Sequence, residues 1–148
     1  MVMKIIKITA WKNKKFLNLF IKQMLSKSPL DPWPVIKNSP LFVLYDSNKN
    51  KEVSYCTVKS WKNGFELGNV LTEKKLRGRG YSSKLINIVL KDYKKIYVTC
   101  ETNLEGFYKK FYFEKIKYPP YPLKQRVGFV NFFSFLGGKK YICMERSI

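Results

Sequence analysis

Arg77-Gly78-Arg79-Gly80-Tyr81-Ser82 stands between an apolar run, Val70-Leu71-Thr72, and a helix-patterned segment over residues 84–90. A strand, a glycine-bearing loop and a helix N-terminus in that order build an anion site. Unpaired backbone N–H groups and the positive end of the helix dipole converge on one spot. Two glycines let the backbone come close to a bound phosphate, and Arg77 and Arg79 add charge-assisted donors. The spacing excludes a P-loop, which needs G-x-x-x-x-G-K-[ST]. A dinucleotide fingerprint fits poorly: Gly78-x-Gly80-x-x-Ser83 lacks the third glycine, and Glu73-Lys74-Lys75-Leu76-Arg77 separate the loop from its strand. A ligand carrying several phosphates is expected here.

Outward from this junction the chain alternates strands and helices. Residues 65–72 read as the strand entering the loop. Residues 81–93 read as a helix with Tyr81, Leu85, Ile86, Val89 and Tyr93 on one face. Residues 95–99 form a buried strand. Thr102-x-x-Glu105 has the spacing of a capping box, opening a helix over 104–111. Upstream, residues 2–9 suit a strand and 11–25 a helix with Phe16, Leu17, Phe20, Ile21 and Met24 aligned. A proline-rich loop follows over 28–40, then strands at 41–46 and 52–61 joined by Ser47-Asn48-Lys49-Asn50. Residues 114–139 resist assignment: Pro119, Pro120 and Pro122 suggest a stiff turn, and 127–136 is strongly aromatic. An extended hairpin arm, a dimer surface or a membrane-touching patch all suit that segment, before a terminal strand at 139–145.

The string Arg77-x-x-Gly80-x-Ser82 resembles the pyrophosphate-binding signature of the GNAT acyltransferase superfamily, Arg/Gln-x-x-Gly-x-Gly/Ala. Asn103-Leu104-Glu105-Gly106-Phe107-Tyr108-Lys109-Lys110-Phe111-Tyr112-Phe113 is similar to that family's second block, an Asn followed by Phe-Tyr and a Gly-Phe. Two departures stand out. Ser82 replaces a glycine or alanine but stays small. Tyr112 replaces the glycine before Phe113, which puts the turn leaving that helix in question.

The resemblance implies one α/β domain over residues 1–148. Its sheet would be mixed and mostly antiparallel, with a central, splayed parallel strand pair and flanking helices. It also implies acetyl-CoA lying between the strands at 65–72 and 95–99. Val70, Leu71 and Thr72 would then face the pantetheine arm, which pairs with backbone like an added strand. Arg77, Gly78, Arg79, Gly80, Tyr81 and Ser82 would cradle the diphosphate, and Asn103 would hold the cofactor from the second block. The acceptor would be a primary amine, of a small molecule or a protein, walled by segments 28–40 and 114–138.

A lysine-like amine is only about 0.04% neutral at pH 7, so the reaction needs desolvation or a base. Glu66, on the strand entering the signature, is the candidate base, acting through water. The competing reading is a structural ion pair between Glu66 and one of the many lysines. Tyr108 matches the family tyrosine that donates to the departing thiolate; packing on the apolar helix face is its competing role. Cys100 has no histidine to activate it, so a core or pocket-lining place is expected.

Composition narrows the rest. The 148 residues bury roughly 70% of their unfolded surface on folding. With 45% hydrophobic and 16% aromatic residues, the chain is not disordered. Histidine is absent, which removes most zinc spacings and any histidine base. Cys56, Cys100 and Cys143 form no C-x-x-C pair and fit a reducing, cytoplasmic setting. No apolar run reaches the ~20 residues a membrane span needs. Lys and Arg number 29 against 10 acids, a net charge of +19 that attracts polyanions. That charge and the aromatic 127–136 segment frame a second reading: a nucleic-acid-binding or interaction module on an inactive GNAT scaffold.

Overall fold

The computed structural model describes residues 2–25, 31–62, 64–134 and 138–148. The chain falls into two compact units, one of Met1–Trp61 with Leu67–Asp92, the other of Lys62–Glu66 with Tyr93–Ile148.

The first unit opens with β1 (Met3–Thr9) and a 3-10 turn, Ala10–Lys12. Helix α1 (Lys14–Leu25) starts later than its apolar pattern suggests. Asn13 accounts for this: its Oδ1 accepts the Phe16 N–H at 2.8 Å, ending the preceding turn and capping the new helix. Its Nδ2 donates to Glu52 Oε1 at 2.9 Å, and Tyr55 Oη donates to the other Glu52 oxygen. Within segment 28–40, the described residues 31–40 depart from the loop that the prolines imply. They hold a short helix, α2 (Trp33–Ile36), with Pro34 in the first turn, where no N–H is needed; residues 28–30 lie outside the described residues. Strands β2 (Pro40–Asp46), β3 (Lys51–Trp61) and β4 (Gly64–Leu71) follow. β1 and β2 pair antiparallel from Thr9↔Pro40 to Met3↔Asp46, and β2 and β3 pair from Leu41↔Thr57. Phe16, Phe20, Leu41, Val43, Tyr55 and Leu71 form the core cluster, while Ile21 and Met24, expected on the same face, are exposed. Helix α3 (Tyr81–Val89) gives way to a 3-10 turn at Leu90–Asp92. Its buried face, Tyr81, Leu85, Ile86 and Val89, is the one the sequence pattern marks.

In the second unit β5 (Lys95–Glu101) precedes a 3-10 turn, Thr102–Leu104, and α4 (Glu105–Lys109). The expected capping box does not form. Thr102 donates its N–H to the Lys140 carbonyl at 2.9 Å, and the Glu105 carboxylate pairs with Lys109 at 2.7 Å instead of reaching back. After β6 (Glu114–Lys115) comes α5 (Tyr121–Ser134), then β7 (Tyr141–Ser147). A 14-residue helix thus stands where an extended arm was one expectation. Pro122 sits in its first turn and does not break it. β5 pairs antiparallel with β7 from Lys95↔Ser147 to Glu101↔Tyr141, and β6 pairs with β7. Asn131 of α5 brackets the Tyr141 backbone: Nδ2 donates to its carbonyl at 3.0 Å and Oδ1 accepts its N–H at 2.6 Å.

The seven strands run β1-β2-β3-β4-β5-β7-β6, a mixed sheet in which β4 and β5 are parallel. This is the sheet the resemblance implied.

Candidate active site

The candidate residues form two sets, one on each unit. In the first unit the chain leaves β4 at Leu71, so Thr72 lies just past the strand. The Leu71 carbonyl accepts from Ser54 Oγ at 3.2 Å, and Ser54 Oγ also pairs with Thr72 Oγ1 at 2.9 Å. These bonds hold the strand end. Val70 is half-buried and Leu71 buried. A 3-10 turn at Lys74–Leu76 follows, anchored by buried Leu76.

Gly78 and Gly80 adopt φ of +76° and +73°, the left-handed region that strains any side chain. A Cβ placed on either would meet nothing within 4 Å, so the loop surface is open at both. Gly80 is the N-cap of α3, and no side chain caps the first turn. The helix starts with Lys84 N–H donating to the Gly80 carbonyl at 3.0 Å. The orphan amides of the first turn therefore lack the protein partner that serine or aspartate would supply.

The two arginines differ. Arg77 Nε donates to the Thr72 carbonyl at 3.1 Å and Nη2 approaches Gln23 Oε1 at 3.5 Å, so this guanidinium braces the loop onto itself. Arg79 is exposed. Tyr81 is buried, and its hydroxyl accepts from Lys49 Nζ at 3.3 Å. Ser82 is half-buried at the helix start.

In the second unit Glu66 is 4% exposed, and Arg126 Nη2 donates to its Oε1. The same nitrogen lies 3.4 Å from Thr99 Oγ1. A carboxylate this deep needs a charged or hydrogen-bonding partner. The anticipated ion pair exists, with an arginine of α5 rather than a lysine. Arg126 went unnoticed in the sequence because α5 did: Pro122, Gly128 and outward-facing aromatics hide the helical period, although Leu123, Val127 and Val130 carry it.

Tyr108 is buried on α4, its ring edge-on to Phe107 at 5.1 Å and Phe113 at 5.8 Å. Asn103 is exposed in the turn before α4. Tyr112 adopts φ +64°, so the turn after α4 keeps a glycine-like conformation without the glycine. Cys100 is buried and its thiol is pushed up to about 12, by desolvation first and then by Glu105 and Glu101. Burial and the two carboxylates thus disfavour the thiolate that a nucleophile needs. Among the described residues no cluster of metal-ligating side chains occurs, and no helix is long and apolar enough to cross a membrane.

A mixed sheet with a parallel central pair and a glycine-led helix after β4 is an α/β arrangement. No protein-family model matches the sequence, and no curated protein matches it either. Solved structures do. N-acetylglutamate synthase from Neisseria gonorrhoeae, complexed with coenzyme A and N-acetyl-glutamate, matches with a TM-score of 0.71 and 10% identity. That match covers 99% of this chain and 35% of the synthase chain. A GNAT family acetyltransferase from Elizabethkingia anophelis with acetyl-CoA bound gives 0.65 and 15% identity, over 99% of this chain and 98% of that one. An acyl-CoA N-acyltransferase from Pseudomonas aeruginosa gives 0.64 and 11%, over 99% and 100%. The structural neighbours along the full length are GNAT-family N-acetyltransferases, and this chain has the GNAT fold.

Proposed function

We propose that the protein is an N-acetyltransferase that moves an acetyl group from acetyl-CoA to a primary amine by direct attack in a ternary complex. The observation that carries this reading is the start of α3. Left-handed Gly78 and Gly80 expose backbone, no side chain caps the helix, and nothing within 4 Å would fill the space of either missing Cβ. These features fit a diphosphate, whose oxygens accept from the amides of Tyr81 and Ser82 while Arg79 adds charge. Arg77 keeps the loop in shape through Thr72, a positioning role in place of direct contact.

Acetyl-CoA supplies an activated thioester; the residues hold it and manage protons. Backbone groups of Val70 and Thr72 pair with the pantetheine arm like an added strand. Asn103 holds the cofactor from the second block. Glu66 receives the acceptor's proton through water, kept in place by Arg126. Tyr108 donates to the departing thiolate, its ring fixed by Phe107 and Phe113. The acceptor is a primary amine from a small molecule or a protein.

Calorimetry with acetyl-CoA, followed by a turnover screen across amine classes, tests the reading. Saturable binding and turnover of at least one amine are expected. No binding, with salt-sensitive retention of an oligonucleotide, would favour the interaction-module reading.

A further inference from the structure

The outer face of α5 takes no part in the proposed chemistry, and it is the most aromatic exposed surface on a described helix. Along α5, Tyr121, Gln125, Gly128, Phe129 and Phe132 recur at the spacing of one helical stripe. Tyr121 is 71% exposed, Phe129 64% and Phe132 76%, and Tyr118, just before the helix, is 80% exposed. The opposite stripe is fastened: Leu123 is buried, Arg126 bonds Glu66, and Asn131 brackets Tyr141. Rolling the rings inward would therefore break a part-buried ion pair. Solvated rings in such a row mark a contact surface.

Charge identifies the occupant. No Asp or Glu occurs between Glu114 and Glu145, while Lys117 and Lys124 flank the stripe, both exposed. Lys117 Nζ lies 5.4 Å from the centre of the Tyr118 ring, so cation and aromatic share one edge of the patch. A chain carrying +19 meets anionic surfaces. Rings spaced along a convex helix offer no groove for a nucleic-acid strand, which needs a channel lined by stacking platforms. Tyr and Phe beside lysines suit the headgroup and acyl boundary of a bilayer, where rings bury edge-first and ammonium groups stay with phosphates.

We propose that α5 docks the protein flat onto an anionic lipid bilayer through Tyr121, Phe129 and Phe132, with Lys117 and Lys124 meeting lipid phosphates. This peripheral contact is independent of the acetyltransferase reading.

Co-sedimentation with phosphatidylcholine vesicles, with and without phosphatidylglycerol, tests it on the full chain. Wild type is expected to bind the anionic vesicles at low salt and to release at high salt. Phe129→Ser/Phe132→Ser should weaken binding roughly ten-fold per ring. Lys117→Gln and Lys124→Gln should each weaken it roughly five-fold. These side chains are exposed, and circular dichroism confirms that each variant remains folded. Failure of the wild type to bind anionic vesicles, or unchanged binding by the folded double phenylalanine variant, overturns the proposal. So does a result in which the double variant instead abolishes self-association or oligonucleotide retention while vesicle binding is absent.

Discussion

Arg126 of α5 donates through Nη2 to Glu66 Oε1 of β4, a part-buried contact between residues 60 positions apart. Removing the arginine takes an ion-pair partner from a carboxylate that is 5% exposed at its side chain. Arg126→Leu should therefore cost about 3 kcal/mol, measured by urea denaturation. Glu66→Leu/Arg126→Leu should cost less than Arg126→Leu alone, because no buried carboxylate remains to be compensated. Equal losses would show that an uncompensated carboxylate is not what the single variant costs. Glu66→Gln separates the chemistry: a fall in kcat of roughly 10²–10⁴ with little change in midpoint marks a base. A stability loss with turnover intact marks a structural ion pair.

Gly80→Val places a β-branched residue at φ +73° and fills the space before the α3 amides. Acetyl-CoA affinity should fall below detection by calorimetry while the chain remains folded by circular dichroism. An unchanged Kd would remove the diphosphate site from this loop.

Tyr108→Phe keeps the ring contacts to Phe107 and Phe113 and deletes only the hydroxyl. Turnover should drop roughly 10²–10⁴ with KM for acetyl-CoA little changed, as expected for a proton donor. A shift in Tm without a shift in kcat returns the residue to packing.

Tyr112 holds φ +64° with its side chain 79% exposed, so it has backbone strain and little burial to offset it. Tyr112→Gly should stabilise the protein by about 1 kcal/mol, because glycine takes the left-handed region without a Cβ clash. Scanning calorimetry should find Tm higher by roughly 2–4 °C. A lower Tm would mean that the tyrosine ring makes contacts that matter.

Burial raises the thiols of Cys56, Cys100 and Cys143 and the phenols of Tyr55 and Tyr141. The folded state thus holds these protons more tightly than the unfolded chain. Their stabilisation is complete below the unfolded thiol value of about 8.5 and is lost as pH climbs beyond it. The urea midpoint should fall steadily between roughly pH 8.5 and pH 11. At pH 8 the native thiols should resist a thiol reagent that labels the denatured chain at once. Burial keeps the Cys100 thiol protonated well above its usual range, so little thiolate is present there. Rapid native labelling would contradict the buried placement.

Local order was legible in the residues wherever hydrophobic period and turn chemistry agree. The buried stripe of α3, the strands around Ser47-Asn48-Lys49-Asn50 and the glycine loop before Tyr81 all follow from side-chain spacing and left-handed glycines. Competition between partners was not legible. Thr102 and Glu105 have capping-box spacing, yet Lys140 and Lys109 take the groups that the box would use. The sequence spacing marks Arg77 as a phosphate ligand and is silent on the bond that its Nε donates to the Thr72 carbonyl.

The amino-acid order by itself determined the strands of the sheet other than β6 and the glycine-led helix start, because those depend on neighbours within a few residues. Tertiary structure alone decided that segment 121–134 is a helix, that Glu66 meets Arg126, and that Tyr112 accepts a glycine's backbone. Each of those outcomes is set by groups distant in the chain or by the closure of a turn against its surroundings, where the folded arrangement outweighs local preference.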